Sequence, residues 1–188
     1  LAESVEILKR CFAEGSFDFD GEHYTVRGHD GQPTCIQLPH PPFLLGGGGR
    51  KMLSLAAREA EIVGLNANMA AGVIDQRAGT SATVEATDRK LGWIRDAAGD
   101  RFADIELQTR VHMSQITDDP IGLAELMAPA LGLDAEAALA SPHVLVGSSG
   151  QCVETLLAWR ERWGLTYIGL NEDSMVEFGP VVEALAGV

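Results

Sequence analysis

Basic residues are scarce in this 188-residue chain: 14 Lys and Arg face 27 Asp and Glu, a formal net charge of −13. No basic stripe offsets the acids, which excludes nucleic acid as a partner and disfavours docking on anionic membrane surfaces. Cysteine is rarer still. Cys11, Cys35 and Cys152 are scattered without Cys-x-x-Cys spacing, which fits reduced thiols in a cytoplasmic protein and not a disulfide framework. No uninterrupted apolar run is long enough to span a bilayer, and the first residues do not read as a signal peptide. A soluble, cytoplasmic protein is expected. The histidines, at 23, 29, 40, 112 and 143, lack His-x-x-x-His spacing and acidic partners at ligand spacing, so no metal site is expected. Nucleophile-elbow and Cys-His arrangements are missing as well.

The chain is long enough for one domain with a sizeable core. Leu1, Val5, Leu8 and Phe12 recur at helical spacing. With no Met or capping residue before them, the sequence reads as entered partway through a helix. A short extended piece at residues 23–26 and a loop rich in Gly and Pro over 28–42 follow, closing with Pro39-His40-Pro41-Pro42. Phe43-Leu44-Leu45 is a continuous apolar run, as in a strand buried on both faces, and four glycines follow it. Arg50–Glu61 has a helical period, and Ile62–Leu65 is the next strand, ending at Asn66.

Beyond a variable-looking stretch, Ala67–Thr80, a helix is predicted from about Ser81 to Ala98, with Gly99 as its stop. Residues 105–116 alternate: Ile105, Leu107, Thr109, Val111 and Met113 share one face, and Glu106, Gln108, Arg110, His112 and Ser114 the other. Asp118-Asp119-Pro120 opens a helix through Leu131, with a shorter one near Ala135–Leu139 and a brief extended piece at 142–147. Ser148 and Gln151 form a capping box for a helix bearing Cys152, Leu156, Trp159 and Trp163, ended by Gly164. A strand at Thr166–Leu170 and a helix starting at Asp173 or Ser174 complete the chain. Regular alternation means parallel strands with helical crossovers, an α/β fold. Periodicity alone leaves open a small doubly wound sheet or half of an eight-unit barrel.

The sharpest feature is Gly46-Gly47-Gly48-Gly49-Arg50-Lys51 between a buried strand and a helix. Glycines let backbone amides approach an anion, the helix N-terminus adds favourable partial charge, and Arg50 and Lys51 can add more. A tight turn needs only one or two glycines, so phosphate binding is expected here. Lys51 is followed by Met52, which is not a P-loop, and no third glycine near Lys51 makes a dinucleotide fingerprint. His112, beside Arg110 and Ser114 on the polar face of its strand, reads as an interior histidine without a nameable catalytic partner. Trp159 and Trp163 read as packing.

Residues 41–65, PPFLLGGGGRKMLSLAAREAEIVGL, resemble the fifth strand, fifth helix and sixth strand of luciferase-like monooxygenases. They are nearest the actinobacterial deazaflavin-dependent branch, with Glu61 in place of the usual Asp. Leu1–Gly15 and the following FDFDGEHY are similar to the family's fourth helix and its insertion. VGSSGQCV at 146–153 is similar to the opening of the helix after strand seven, with Ser149 where Pro is common, and WGLTYI at 163–168 to the entry of the last strand. The resemblance implies one partial domain over 1–188, helix four through helix eight: the C-terminal half of a (β/α)8 TIM barrel, with about four parallel strands.

The same resemblance implies an oxidoreductase that transfers hydride between a reduced cofactor and a small organic substrate. Its cofactor would be 8-hydroxy-5-deazaflavin (coenzyme F-420), or FMN as the alternative. Gly46, Gly47, Gly48, Gly49 and Arg50, with Asn66 beside them, would hold its phosphate. Catalytic residues are unassigned and fall largely in the half not present. The alternatives are an FMN-dependent monooxygenase of the same family and a non-catalytic half-barrel. A small-molecule substrate and a second copy of the chain, as a dimer, are the expected partners. Four groups are expected on one rim: Gly46–Arg50, Leu65–Asn66, Ser114–Thr117 and Asn171–Glu172, with His112 and Ser114 pointing inward.

Overall fold

The computed structural model describes residues 1–13, 15–69 and 76–187. Residues 70–75 of the variable-looking stretch therefore lie outside the described residues. Two compact units divide the chain, Leu1–Phe43 and Leu44–Val188.

In the first unit, helix α1 (Ala2–Phe12) precedes an antiparallel hairpin of β1 (Ser16–Asp20) and β2 (Thr25–Asp30), so the extended segment runs four residues past Val26 into the expected loop. The α1 stripe buries Val5, and β1 buries Phe19. At the hairpin turn the Glu3 carboxylate accepts the N–H groups of Glu22, His23 and Tyr24 at 2.9–3.0 Å. A charged acceptor thus satisfies three turn amides that have no strand partner.

The second unit is built on a four-stranded parallel sheet. Its strands are β3 (Leu44–Gly47), β4 (Ile62–Leu65), β5 (Glu106–Arg110) and, last in the chain, β8 (Leu165–Gly169), in the spatial order β3-β4-β5-β8. Helix α2 (Arg50–Glu59) connects the first pair. The short α3 (Gln76–Thr80) and long α4 (Val84–Ala98) lie between the second. Between β5 and β8 come β6 (Met113–Ile116), α5 (Pro120–Met127), α6 (Ala135–Leu139), β7 (Val144–Gly147) and α7 (Ser149–Trp163), and α8 (Gly179–Leu185) closes the chain.

The sheet's two faces differ, and the difference decides the architecture. Val63, Leu65, Leu107 and Leu165 are buried in one core with Leu53, Ala56 and Ala57 of α2, Leu91 and Ile94 of α4, and Cys152, Trp159 and Trp163 of α7. On the other face, Gly64 and Gly169 lie flat against the Gln108 side chain, and Gly46 against Gly64: a Cβ on Gly64 would come within 2.8 Å of Gln108 Oε1. Leu44 and Tyr167, on that same face, stay exposed. Among the described residues of this unit, the packed helices lie on one face. That is the wall of a barrel seen from outside and inside, and it rules out the doubly wound alternative, which needs helices on both faces. The chain is α/β, a partial TIM barrel.

Local signals placed most helix ends correctly. Ser148 and Gln151 form the reciprocal capping box, and Gly164 ends α7 at φ 73°, a left-handed conformation that favours glycine. Thr83 and Asp119 cap α4 and α5. Other boundaries moved. The α4 helix starts at Val84 rather than Ser81, because Thr83 accepts the N–H of Ala86. The helix predicted through Leu131 tightens into a 3-10 turn over Ala128–Leu131, and the terminal helix starts at Gly179 after a 3-10 turn at Glu172–Ser174. The alternating strand 105–116 divides in two. Val111 N–H still donates to Gly169 O, whereas His112 and Met113 both donate to His143 O, so the strand changes partner from β8 to β7 at residue 112.

Candidate functional site

Parallel register puts the C-terminal ends of β3, β4, β5 and β8 at one rim. Gly47 pairs with Leu65, Leu65 with Thr109, and Arg110 with Gly169. On the uncovered face of this rim Gly46, Gly47, Gly48, Asn66, Ala67, Met69, Arg110 and His112 line a pocket of about 380 Å³. The glycine run, predicted as one loop, is divided. Gly46 and Gly47 finish β3, and Gly48 and Gly49 make the turn into α2. Gly49 and Arg50 lie outside the pocket lining, with Arg50 exposed as the first residue of the helix.

Packing explains part of the glycine run. A Cβ on Gly48 would sit 2.4 Å from Ala67 O, and one on Gly47 would strike Met52. Gly49 is different: its backbone is ordinary extended chain (φ −116°, ψ 155°), and a Cβ there would meet nothing. As the N-cap of α2 it offers no side-chain acceptor, and the first turn of α2 holds no acid but the bases Arg50 and Lys51. By contrast α4, α5, α6 and α7 are each capped by Thr or Ser oxygen or an Asp carboxylate. Unsatisfied N–H groups, the positive end of the helix dipole and two cations at that end are mutually unfavourable until an anion joins them.

Asn66 is held from two sides. Its N–H donates to Gly47 O at 3.0 Å, and its carbonyl accepts from Lys90 Nζ at 2.7 Å. Lys90 is 2 % exposed and also donates to Ser81 O at 2.6 Å. Burial, with Arg89 adding charge repulsion, pushes its ammonium down to about 8. Arg110 Nη2 donates to Asn171 Oδ1 at 2.9 Å, and Asn171 Nδ2 donates to His112 O at 3.4 Å. His112 lies below its ordinary value through partial burial and then the Arg110 charge, which favours the neutral ring at neutral pH.

The expected rim groups Gly46–Arg50, Leu65–Asn66 and Asn171 stand at the C-terminal ends of their strands. The fourth, Ser114–Thr117, lies at and just beyond the C-terminal end of β6, where Ser114 Oγ is 2.6 Å from Ser174 Oγ, three residues past Asn171; these residues do not line the glycine pocket. Arg110 and His112, before and at the change of strand partner, line it instead. Sequence reading missed Arg110, Lys90 and Met69 as members or supports of the site. Arg110 lies four residues before Ser114 on the same face of the alternating pattern, but that pattern does not mark where the strand breaks.

A second cavity, of about 270 Å³, shares Ala67, Met69 and His112 with the first and is otherwise mostly apolar, with Met113, Met127 and Leu131 among its walls. His143 lines it and is 4 % exposed. Its Nδ1 faces Arg110 O at 2.9 Å and Thr109 Oγ1 at 3.3 Å, and its Nε2 has no partner among the described residues. Since Thr109 Oγ1 donates to Pro142 O, the proton belongs on Nδ1. Burial, outweighing that bond, lowers the His143 value to about 4. In the first unit Glu3, Glu22 and His23 bring possible ligand atoms within 4.8 Å of one another. There Glu3 already serves three turn amides, so it acts as a turn clamp. No helix among the described residues is long and apolar enough to cross a membrane.

With a one-sided parallel sheet and a rim pocket at the strand ends, the fold is that of part of a (β/α) barrel. The sequence pattern of the luciferase-like monooxygenases matches residues 1–167, and the chain belongs to that family. It is 28 % identical over 71 residues to the FMNH2-dependent dimethylsulfone monooxygenase of Pseudomonas putida, covering 38 % of this chain and 20 % of that one. Among solved structures it is similar to a monooxygenase of Streptomyces bottropensis, with 20 % identity and TM-score 0.61 over 90 % of this chain and 52 % of the other. It is also similar to the coenzyme F-420-dependent tetrahydromethanopterin reductase of Methanopyrus kandleri, with 16 % identity and TM-score 0.65 over 96 % and 60 %. The chain thus spans 60 % or less of the length of these relatives. The family's members include both deazaflavin- and flavin-dependent oxidoreductases and monooxygenases.

Proposed function

We propose that this chain supplies the phosphate-binding part of a deazaflavin-dependent oxidoreductase acting on a small organic substrate. The observation that carries the reading is the uncapped, base-bearing N-terminus of α2 beside the Gly46–Gly48, Asn66 and Arg110 pocket. The donor set fits a phosphate: backbone N–H groups, a helix N-terminus and a guanidinium, with open space where a Gly49 side chain would be. When bound, the reduced cofactor supplies a hydride to the substrate. The protein's part is to anchor the phosphate, keep the rim rigid through Lys90 and Asn66, and keep His112 neutral beside the site. Coenzyme F-420 is favoured over FMN by the likeness of residues 41–65 to the deazaflavin-dependent branch, and the F-420-dependent reductase of like fold supports it.

Titration of the intact protein with F-420 and with FMN, oxidised and reduced, tests the reading against Gly49→Glu. A Cβ there meets no atom of the fold, and the substitution adds a negative charge at the N-cap of α2. Binding should weaken by roughly tenfold or more, with the unfolding midpoint unchanged. Equal affinity in both proteins sinks the phosphate site. Tight binding of FMN with oxygen-dependent product formation moves the assignment to a monooxygenase.

A further inference from the structure

Arg110 is a cation without a counter-ion. It lines the glycine pocket on the uncovered face, one residue beyond the Leu65–Thr109 pairing and so level with Asn66. Among the described residues no carboxylate pairs with it, although the chain has almost twice as many acids as bases. Its one hydrogen-bonded side-chain partner is the neutral Asn171, 61 residues away, which accepts from Nη2 and in turn donates to His112 O. An amide oxygen steers a guanidinium without neutralising it, leaving the other N–H donors of the fork free. The nearby His112, neutral or cationic, supplies no negative charge.

We propose that Arg110 is a direct ligand of the cofactor phosphate and that Asn171 is its positioning residue, an asparagine whose neutrality keeps the guanidinium available. The inference rests on the phosphate site proposed above. The phosphate is gripped from two elements, the β3–α2 turn on one side and the end of β5 on the other. Arg110 supplies the formal charge that the backbone amides lack. Asn171→Asp separates this role from a structural one. A carboxylate of the same shape would hold Arg110 at least as firmly but would occupy the charge that the phosphate needs; the Nδ2 donation to His112 O, lost in Asp and Ala alike, is controlled for by Asn171→Ala.

The test compares binding of 8-hydroxy-5-deazariboflavin 5′-phosphate with 8-hydroxy-5-deazariboflavin, and of FMN with riboflavin, in wild type, Gly49→Glu, Arg110→Gln, Asn171→Ala and Asn171→Asp. The ratio of the two affinities in each pair isolates the phosphate. Arg110→Gln should lower that ratio about tenfold and flatten its salt dependence. Asn171→Asp should lower it by a similar factor, and Asn171→Ala by less, about two- to threefold. If the ratio falls in Gly49→Glu yet stays at the wild-type value in Arg110→Gln and Asn171→Asp, this inference is overturned and the glycine site stands. If Asn171→Asp matches wild type while Asn171→Ala falls, Asn171 is only a tether and the charge argument fails. A wild-type ratio near one in both pairs overturns the phosphate site and this inference together.

Discussion

Lys90 Nζ donates to Asn66 O at 2.7 Å, so a buried ammonium supports from behind the residue whose N–H closes onto Gly47 O. The two lie 24 residues apart, on α4 and at the end of β4. Lys90→Met should leave Asn66 O and Ser81 O without their donor, a cost of about 1–3 kcal/mol for each buried acceptor, offset in part by relief of the buried charge. Denaturant unfolding should show a moderate net loss. Amide exchange should show the Asn66 N–H losing protection more than the Val63 and Leu65 amides. An Asn66 amide exchanging as slowly as in wild type contradicts the support role.

His143 makes stability depend on pH in a definite direction. Its folded value is lowered to about 4 from an ordinary 6.5. Between those values the unfolded chain binds a proton that the folded chain refuses, so stability rises with pH across this window. The contribution is complete above 6.5 and is lost as pH falls toward 4, on the order of 3 kcal/mol in all. His143→Phe should flatten the urea-unfolding stability profile between pH 6.5 and 4. A variant profile as steep as wild type assigns the acid sensitivity elsewhere.

Gly48 and Gly49 should respond oppositely to alanine. Gly48→Ala forces a methyl group toward Ala67 O, a backbone atom that cannot swing aside, and should destabilise by about 1–3 kcal/mol. Gly49→Ala meets open space at an ordinary extended backbone position, so its thermal midpoint should stay close to wild type. Similar losses at both positions would contradict the division of the run into a packed half and an open half.

Much of the element order was legible, because its causes are local. The α7 helix shows this best: Ser148, Gln151 and Gly164 set both ends through contacts within a few residues, and the structure has the same ends. Residues 106–110 alternate with period two: Leu107 packs in the core with the helices and Thr109 is buried against Pro142 and His143, while Gln108 faces the glycines of neighbouring strands. The pattern failed at Val111–His112 because nothing inside 105–116 marks the change. Its cause is the arrival of His143 O, over thirty residues later.

The candidate site divides along the same line. The strand–glycine–helix sequence located the turn for which phosphate binding is proposed, since glycine tolerance and helix-terminal amides are properties of a few consecutive residues. It did not reveal that Gly46 and Gly47 belong to the strand, that Arg110 stands at the rim, or that Ser114 turns to Ser174.

The sequence by itself determined the α/β class, most helix caps and the position of the strand–glycine–helix turn, because backbone geometry and short-range hydrogen bonding answer to neighbours along the chain. Only the tertiary structure decided that helices cover one sheet face, that Lys90 underpins Asn66, and that Arg110 meets Asn171 instead of a carboxylate. Those outcomes depend on which distant segments share a face and a register. Side chains 24 and 61 residues apart become neighbours only once parallel pairing has brought the strand ends to a common rim.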